Sequence, residues 1–436
     1  MTFLFWARPL KSRSPYRVKT MLAKARALYS SIGYNFPALI AFLLPFGINY
    51  APIFIAWTVC YLFLGNPAQG FKNVFRYFWS YILLGFFFLH ALAWWFSENK
   101  HEALVSIEGK MSFFAFPLLL FCVSYEALKV KKIVTAFVSG CFISVMICLF
   151  RAAGLYFVEG VNAFFYSDFS YFLHPSYLAM YLTLAQLVVM LFYKDWLSHL
   201  KNLDSKIGFI TVLNVTGIFL SSSKMGFLAA LLLLPATFAV IQFRRGYKKT
   251  IAALAVALVL GLFVAYKIAP SPFERLKVAF SVTASSQTID KTASESTAVR
   301  ILIWEQAVKI IRQHLVFGIT PGDTNDALYK AYEENGLTGA LAKRLNAHNQ
   351  YLQTFIGTGI IGFALLCLMT LGGIVIGFAK KNYILALFSI LIVLNFLVES
   401  MLQTQAGIVF FVLFLCLFLQ YDLASLKENN PEAELP

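Results

Sequence analysis

The sequence predicts an all-α, polytopic integral membrane helix bundle, about twelve transmembrane helices with one large, mostly helical outer loop. Three observations predict it. Of the 436 residues, 59% are hydrophobic and 13% charged, against roughly 25% charged in a soluble domain, which excludes a water-soluble fold. The apolar residues gather in runs of roughly 17 to 25, the length at which a helix crosses a hydrocarbon core of about 30 Å. Lysines and arginines crowd alternate connections, as they do when they mark the cytoplasmic side. A transmembrane barrel is excluded because stretches such as Phe78 to Trp95 and Ile251 to Val264 show no alternation of polarity.

Residues 1–35 form a basic N-terminal arm with Arg8, Lys11, Arg13, Arg17, Lys19, Lys24 and Arg26. Within 36–268 the spans fall at 36–49, 51–65, 77–96, 105–122, 133–156, 177–194, 206–221, 224–242 and 250–268. Lys72 and Arg76, then Lys129, Lys131 and Lys132, then Lys194, Lys201 and Lys206, then Arg244, Arg245, Lys248 and Lys249 occupy every second link. The other short links, 97–104, 157–176, 221–224 and 398–403, contain only Lys100 and Lys224. The segment 269–348 therefore lies on the outer side, between a span that runs outward and one that returns. It opens on a Ser/Thr-rich stretch, Ser281 to Thr297, and continues into a helix over 298–313 with apolar residues at helical spacing. Gly318 to Asp323 is a turn signal, and a second, polar helix is expected from Asn325 to Glu334. Residues 349–422 hold the last spans, 350–378, 382–397 and 403–422, with Lys380 and Lys381 in the first link. The tail 423–436 carries Lys427. Both termini are then cytoplasmic.

Charge and composition narrow the function classes further. The net charge of +15 sits mostly in short loops, a topology signal rather than a nucleic-acid surface. All six cysteines fall inside expected spans without metal-ligand spacing, and the N-terminus lacks the pattern of a removable signal peptide, so the first spans serve as the insertion signal. Phosphate-binding glycine loops, His-Glu-x-x-His and Gly-x-Ser-x-Gly are absent, and no cofactor is indicated. No internal repeat or pair of matched halves is visible, which weakens a transporter reading.

What stands out is ionisable residues at outer membrane boundaries, where charge is costly. Lys224 lies in Ser221-Ser222-Ser223-Lys224-Met225-Gly226, a short link on the side that otherwise avoids basic residues. Alone it reads as a snorkelling lysine. With three hydroxyls and the N–H groups of a helix start it would suit a phosphate. Arg300 opens the helix that continues Ile301-Leu302-Ile303-Trp304; a surface arginine is the plain reading, and a guanidinium is also the better bidentate partner of a phosphate. His348, in Asn346-Ala347-His348-Asn349-Gln350-Tyr351-Leu352-Gln353, stands where the outer segment re-enters the membrane. A lone histidine is commonly structural, but an imidazole at this boundary is placed to take a proton from a hydroxyl. His174 and Tyr177 mark another outer boundary, and Glu399 the last outer link.

These residues carry a family resemblance. Arg300 to Trp304, then His314-Leu315-Val316-Phe317-Gly318-Ile319 with Pro321-Gly322, then His348 to Gln353 followed by Gly357, Gly359 and Gly362 resemble the O-antigen ligase and polymerase superfamily, as does the large loop before the tenth helix. The resemblance runs from about Ser221 to Phe410. It implies a metal-independent transfer of a glycan from an undecaprenyl-pyrophosphate carrier to lipid A-core or another hydroxyl acceptor, at the periplasmic face of the bacterial inner membrane and with inversion of the anomeric carbon. By the same analogy His348 deprotonates the acceptor, while Arg300 and Lys224 hold the pyrophosphate. Glu399 falls where ligases tend to carry an acid that orients a basic residue or binds the acceptor. Family members often have arginine where this chain has Lys224, which keeps the charge and loses the bidentate fork. A polymerase of the same superfamily would differ mainly in its acceptor. A transporter or flippase for a lipid-linked sugar would instead place ionisable groups near mid-membrane, where Lys110 and Arg151 are the nearest cases.

Overall fold

The apolar runs fold as helices, and among the described residues every regular element is helical. The computed structural model describes residues 15–122, 127–196, 203–268, 273, 290–292 and 297–429; the expected Ser/Thr-rich stretch from Ser281 falls mostly outside the described residues. In order, the chain forms α1 (Pro15–Ile32), α2 (Asn35–Leu43), α3 (Ala51–Leu64), α4 (Pro67–Val74), α5 (Phe78–Ala93) and α6 (Lys100–Leu120). There follow α7 (Ala127–Gly154), α8 (Tyr166–Phe169), α9 (Pro175–Trp196), α10 (Leu203–Leu220), α11 (Lys224–Arg244) and α12 (Lys248–Ile268). The polar segment contributes α13 (Thr297–Gln313), α14 (Thr324–Glu334) and α15 (Thr338–Ala342). The chain then continues into α16 (Gln350–Ala379), α17 (Tyr383–Phe396) and α18 (Gln405–Asn429).

Among the described residues six stretches are long and apolar enough to cross a membrane: Lys19–Phe46, Lys100–Leu120, Lys129–Glu159, Pro175–Phe192, Lys224–Arg244 and Gln350–Ala379. The pair α3 and α4 passes the same test together but is bent by 115°. Gly65-Asn66-Pro67 makes that bend, since the proline suits the first position of α4 and cannot continue α3. The remaining apolar helices, α5, α17 and parts of α10, α12 and α18, are shorter. The basic arm is helical from Pro15, in keeping with its Ala, Leu, Lys, Arg and Met content.

Helices α9 and α18 occupy the centre. Residues 178–188 of α9 and 408–419 of α18 are buried almost without interruption, as expected of helices that are apolar all round. Outer helices leave large apolar side chains such as Phe63, Phe157 and Val375 exposed, a surface suited to lipid. Association of helices in lipid depends on close packing, and α16 meets α17 through Gly373 and Gly377, whose missing side chains admit Ser389 and Ala386.

The polar segment has a small core of its own. Val299, Ile303, Ala307 and Ile311 recur along one face of α13 and pack with Leu328, Tyr332, Leu337 and Ala340, and with Ala347 and Ile356 beyond them. Two devices fix this unit to the bundle. The first is a break in α16 at Gly359, with φ 61° and ψ −160°. Residues 315–319 fill it: Ile319 N–H donates to the Ile356 carbonyl and Ile360 N–H to the Leu315 carbonyl, each at 2.9 Å. Backbone groups released by the break are thus paired, as a low-dielectric setting demands.

The second device is Asp323. Its carboxylate accepts from Ser97 Oγ (3.1 Å), the backbone N–H of Glu98 (3.0 Å) and of Asn99 (2.8 Å), and Thr320 Oγ1 (2.7 Å). Partial burial raises the pKa of this carboxyl, and these donors outweigh burial, so the net displacement is downward. A depressed pKa in the folded state gives stability that is present above the unfolded value of about 3.9 and is lost as pH falls through the folded value. Asp323→Ala is expected to lower the apparent melting temperature at pH 7 by about 3 °C, a gap that closes at the acid end of a pH-resolved thermal shift series. An unchanged gap at acid pH would rule out the charged latch.

Candidate active site

The site is assembled where the polar segment meets α16 and the link between α17 and α18. The sequence Asn346 to Gln353 folds as it does because most of its polar side chains serve the backbone. Asn346 Oδ1 accepts the His348 N–H at 2.9 Å, and Ala347 is held on both sides, its N–H by Gln353 Oε1 and its carbonyl by Trp304 Nε1, both at 2.9 Å. Asn349 caps α16 by accepting the Leu352 N–H at 3.1 Å. His348 itself takes φ 44°, a left-handed conformation uncommon outside glycine. Such a backbone persists only where its surroundings over-determine it, and here four side chains do so.

Asn349 also joins this corner to the α17–α18 link: its Nδ2 donates to the Leu397 carbonyl at 3.0 Å and its N–H to Ser400 Oγ at 3.2 Å. Glu399, between those two anchors, is thereby turned towards the histidine. Its Oε1 lies 3.3 Å from His348 Nδ1 and its Oε2 lies 3.7 Å from Arg300 Nη2. The His348 contact is an electrostatic one, since Nδ1 is sealed from solvent without the alignment of a hydrogen bond. Arg300 arrives from α13, whose Trp304, one turn on, is the residue bonded to the Ala347 carbonyl. One indole contact thus sets the register of α13 over the histidine corner.

Burial raises the pKa of the Glu399 carboxyl, but the adjacent imidazole of His348, the Arg300 guanidinium and His174 together pull it below the usual carboxylate range. At neutral pH it is a carboxylate. With Glu399 on Nδ1, the remaining ring nitrogen of His348, Nε2, is the one left for a reactant. This arrangement sets a carboxylate behind an imidazole, on the side of the ring away from a reactant.

The other expected site residues stand around this cluster. Tyr177 is buried and its hydroxyl accepts from Thr404 Oγ1 at 2.8 Å, so it ties α9 to the Glu399 link. His174, just before α9, is exposed and acts on Glu399 through its charge. Lys224 is the first residue of α11, partly exposed, and its neighbour Ser223 reaches Ser176 Oγ at 3.4 Å on the wall that carries His174 and Tyr177. The three serines before it depart from the expected phosphate cradle. Ser221, Ser222 and Ser223 are buried, with Ser221 and Ser222 donating to the carbonyls of Ile218 and Leu220 and Ser223 accepting the Gly226 N–H. Their hydroxyls build the turn and the cap of α11. The structure thus brings Arg300, His348 and Glu399 into direct contact, sets His174 within electrostatic reach, and leaves Tyr177 and the serines in supporting roles.

Sequence reasoning missed Asn349, Gln350, Gln353 and Ser400 as builders of the site. The one signal for the three amides is their density after His348 in an otherwise apolar run, and Ser400 has none. Among the described residues no group of three or more His, Cys, Asp and Glu is arranged to hold a metal ion.

Fold and site together define a multi-pass helical membrane protein with a His–Glu–Arg cluster at the seam between its bundle and a polar segment. Residues 209–367 match the O-antigen ligase family, a match that supports a place for this segment in the O-antigen ligase superfamily. The matched stretch includes Lys224, Arg300 and His348, whereas His174, Tyr177 and Glu399 lie outside it. The match indicates function of the O-antigen ligase or polymerase type, that of a glycosyltransferase-like enzyme. A search of curated proteins gives no match.

Proposed function

We propose that the chain transfers a glycan, with inversion at the anomeric carbon, from an undecaprenyl-pyrophosphate carrier to an acceptor hydroxyl, on lipid A-core or another molecule, at the periplasmic face of the inner membrane. The observation that carries this reading is the contact of Glu399 with both His348 and Arg300. His348 Nε2 takes the acceptor proton as the acceptor oxygen bonds to the anomeric carbon. The bond from that carbon to the pyrophosphate breaks, and Arg300 and Lys224 offset the charge left on the carrier without need of a metal. Glu399 holds the ring and balances the imidazolium. Arg300 is held only loosely by Glu399, at 3.7 Å, which leaves guanidinium N–H groups for an anion.

The topology belongs to the same proposal. A twelve-span layout takes the six long stretches, the bent pair α3 and α4 and the five shorter apolar helices as spans, with both termini cytoplasmic and residues 269–348 periplasmic. The charge pattern of the links supports it. A carrier of lipid-linked sugar is the second reading, since the break in α16 and the buried Lys110 are features of transporters as well. Both have partners here: residues 315–319 occupy the break, and Lys110 holds the Leu402 carbonyl.

The deciding experiment supplies purified protein in lipid nanodiscs with a defined carrier-linked glycan and a panel of acceptors. A single transfer to lipid A-core with release of the carrier pyrophosphate is the expected product. A ladder of growing carrier-linked chains would make the protein a polymerase. Movement of the donor across a proteoliposome bilayer with no transfer to any acceptor would overturn the enzymatic reading.

A further inference from the structure

Lys110 sits in α6, about 15 Å along the helix from Lys100, and is 3% exposed. An ammonium in the interior of a membrane bundle is costly, and among the described residues no carboxylate lies within ion-pair distance of it. A leucine or methionine would fill the same volume without that cost, so packing alone does not account for the lysine.

Its contact is specific. Lys110 Nζ donates to the Leu402 carbonyl at 2.5 Å, and the N–H of the same Leu402 donates to Gln350 Oε1 at 2.7 Å. Gln350 opens α16 two residues after His348 and is itself steadied by Thr354 Oγ1 at 3.0 Å. Leu402 is therefore gripped at both ends of its backbone, from one side by the helix that follows His348 and from the other by Lys110. Leu402 lies three residues after Glu399, in a link also tethered at Leu397, Ser400 and Thr404 by neutral groups. Lys110 is the charged tether among these, and a charge-assisted hydrogen bond is about twice as strong as a neutral one. Beside the ammonium is a cavity of about 20 Å³ lined by His90, Ser106, Thr354 and Thr358, room for about one water. His90 Nδ1 faces the Phe86 carbonyl at 2.9 Å and so carries its proton, which leaves Nε2 as an acceptor on the side of the ring opposite that carbonyl.

We propose that Lys110 is a positioning residue for glycan transfer: its ammonium fixes the α17–α18 link from within the bundle and so holds the Glu399 carboxylate against His348. The proposal rests on the role assigned above to His348. Removal of the ammonium frees the Leu402 carbonyl, the link relaxes, and Glu399 leaves its place behind the imidazole. A displacement of about 1 Å in such a constellation costs up to about a hundredfold in turnover.

The test is a double-mutant cycle on purified, nanodisc-embedded protein with carrier-linked glycan and a competent acceptor, with folded fraction read by thermal melting. Lys110→Met is expected to lower kcat by about 10- to 100-fold while KM for the donor moves less than about threefold. In the Glu399→Gln background the same substitution should add almost nothing, because both act on one element. Lys110→Arg, which keeps a charged donor, should restore most of the turnover. If Lys110→Met yields no folded protein, the cycle is run with Lys110→Gln, whose shorter neutral amide stops short of Leu402. Full turnover in the lysine variant, or losses that multiply with Glu399→Gln, would overturn the positioning role while an inactive His348→Ala control leaves the reading of the site standing. An active His348→Ala control would instead remove the reading itself.

Discussion

Replacement of His348 by alanine is expected to reduce glycan transfer by about 10²- to 10⁴-fold, the span typical of a lost general base, while the carrier-linked donor still binds. The distinction follows from the geometry. The imidazole is backed by Glu399 at 3.3 Å and stands beside Arg300 rather than taking its place in anion binding. Pyrophosphate affinity then rests on the cations, and proton removal on the ring. Donor binding measured by native mass spectrometry or by protection against thermal unfolding should be within about threefold of wild type, and single-turnover transfer should collapse. The substitution also relieves nothing useful in the backbone, because alanine at φ 44° tolerates the left-handed region no better than histidine does. A variant that transfers at wild-type rate would eliminate the base; one that loses donor binding in parallel with transfer would recast His348 as a binding residue.

The second large effect is on the fold. Gly359→Val is expected to prevent the polar segment from docking, and even Gly359→Ala should cost about 1–3 kcal/mol from backbone strain alone, because φ 61° with ψ −160° is a region that only glycine visits freely. Steric contact adds to this: a Cβ here would lie 2.2 Å from the Val316 carbonyl oxygen. Gly318 makes the reciprocal approach, its φ being 70° and its hypothetical Cβ 2.5 Å from the Ile356 carbonyl oxygen. Proteolytic cleavage between residues 313 and 324 should therefore accelerate in Gly359→Val. Gly208→Ala is the control, since nothing lies within 4 Å of that position and alanine is the better helix residue. Equal protease resistance of Gly359→Val and wild type would show that the break in α16 does not need its glycine.

These two residues differ in how visible they are in the amino-acid order. The helices of the polar segment can be read to within a residue, 298–313 against Thr297–Gln313 and 325–334 against Thr324–Glu334, because apolar spacing and turn residues are local signals. His348 is visible for the same reason: an ionisable residue at the start of an apolar run is conspicuous. The break at Gly359 is not, since 350–378 reads as one uninterrupted span and the cause of the break, residues 315–319, lies some 40 positions earlier. Glu399 is visible as an acid in an outer link, yet its partners come from α13 and from the corner before α16, a convergence no local pattern encodes. Ser221 to Ser223 mislead in the opposite sense. A run of hydroxyls beside a lysine suggests an anion cradle, but hydroxyls close to a helix start compete for backbone groups, and here the backbone wins.

Gly359 also decides where the chain can be cut and rejoined. The first part of α16, Gln350 to Thr358, lends Leu352, Phe355 and Ile356 to the core of the polar segment, whereas the part from Ile360 to Ala379, about 20 residues, is by itself long enough to cross a bilayer. The natural module for exchange between related proteins therefore ends at Thr358, ten residues past the histidine. A chimera joined at His348 would split one small core between two parents, while a chimera joined at Gly359 would carry the histidine corner, its amide scaffold and the polar segment across intact.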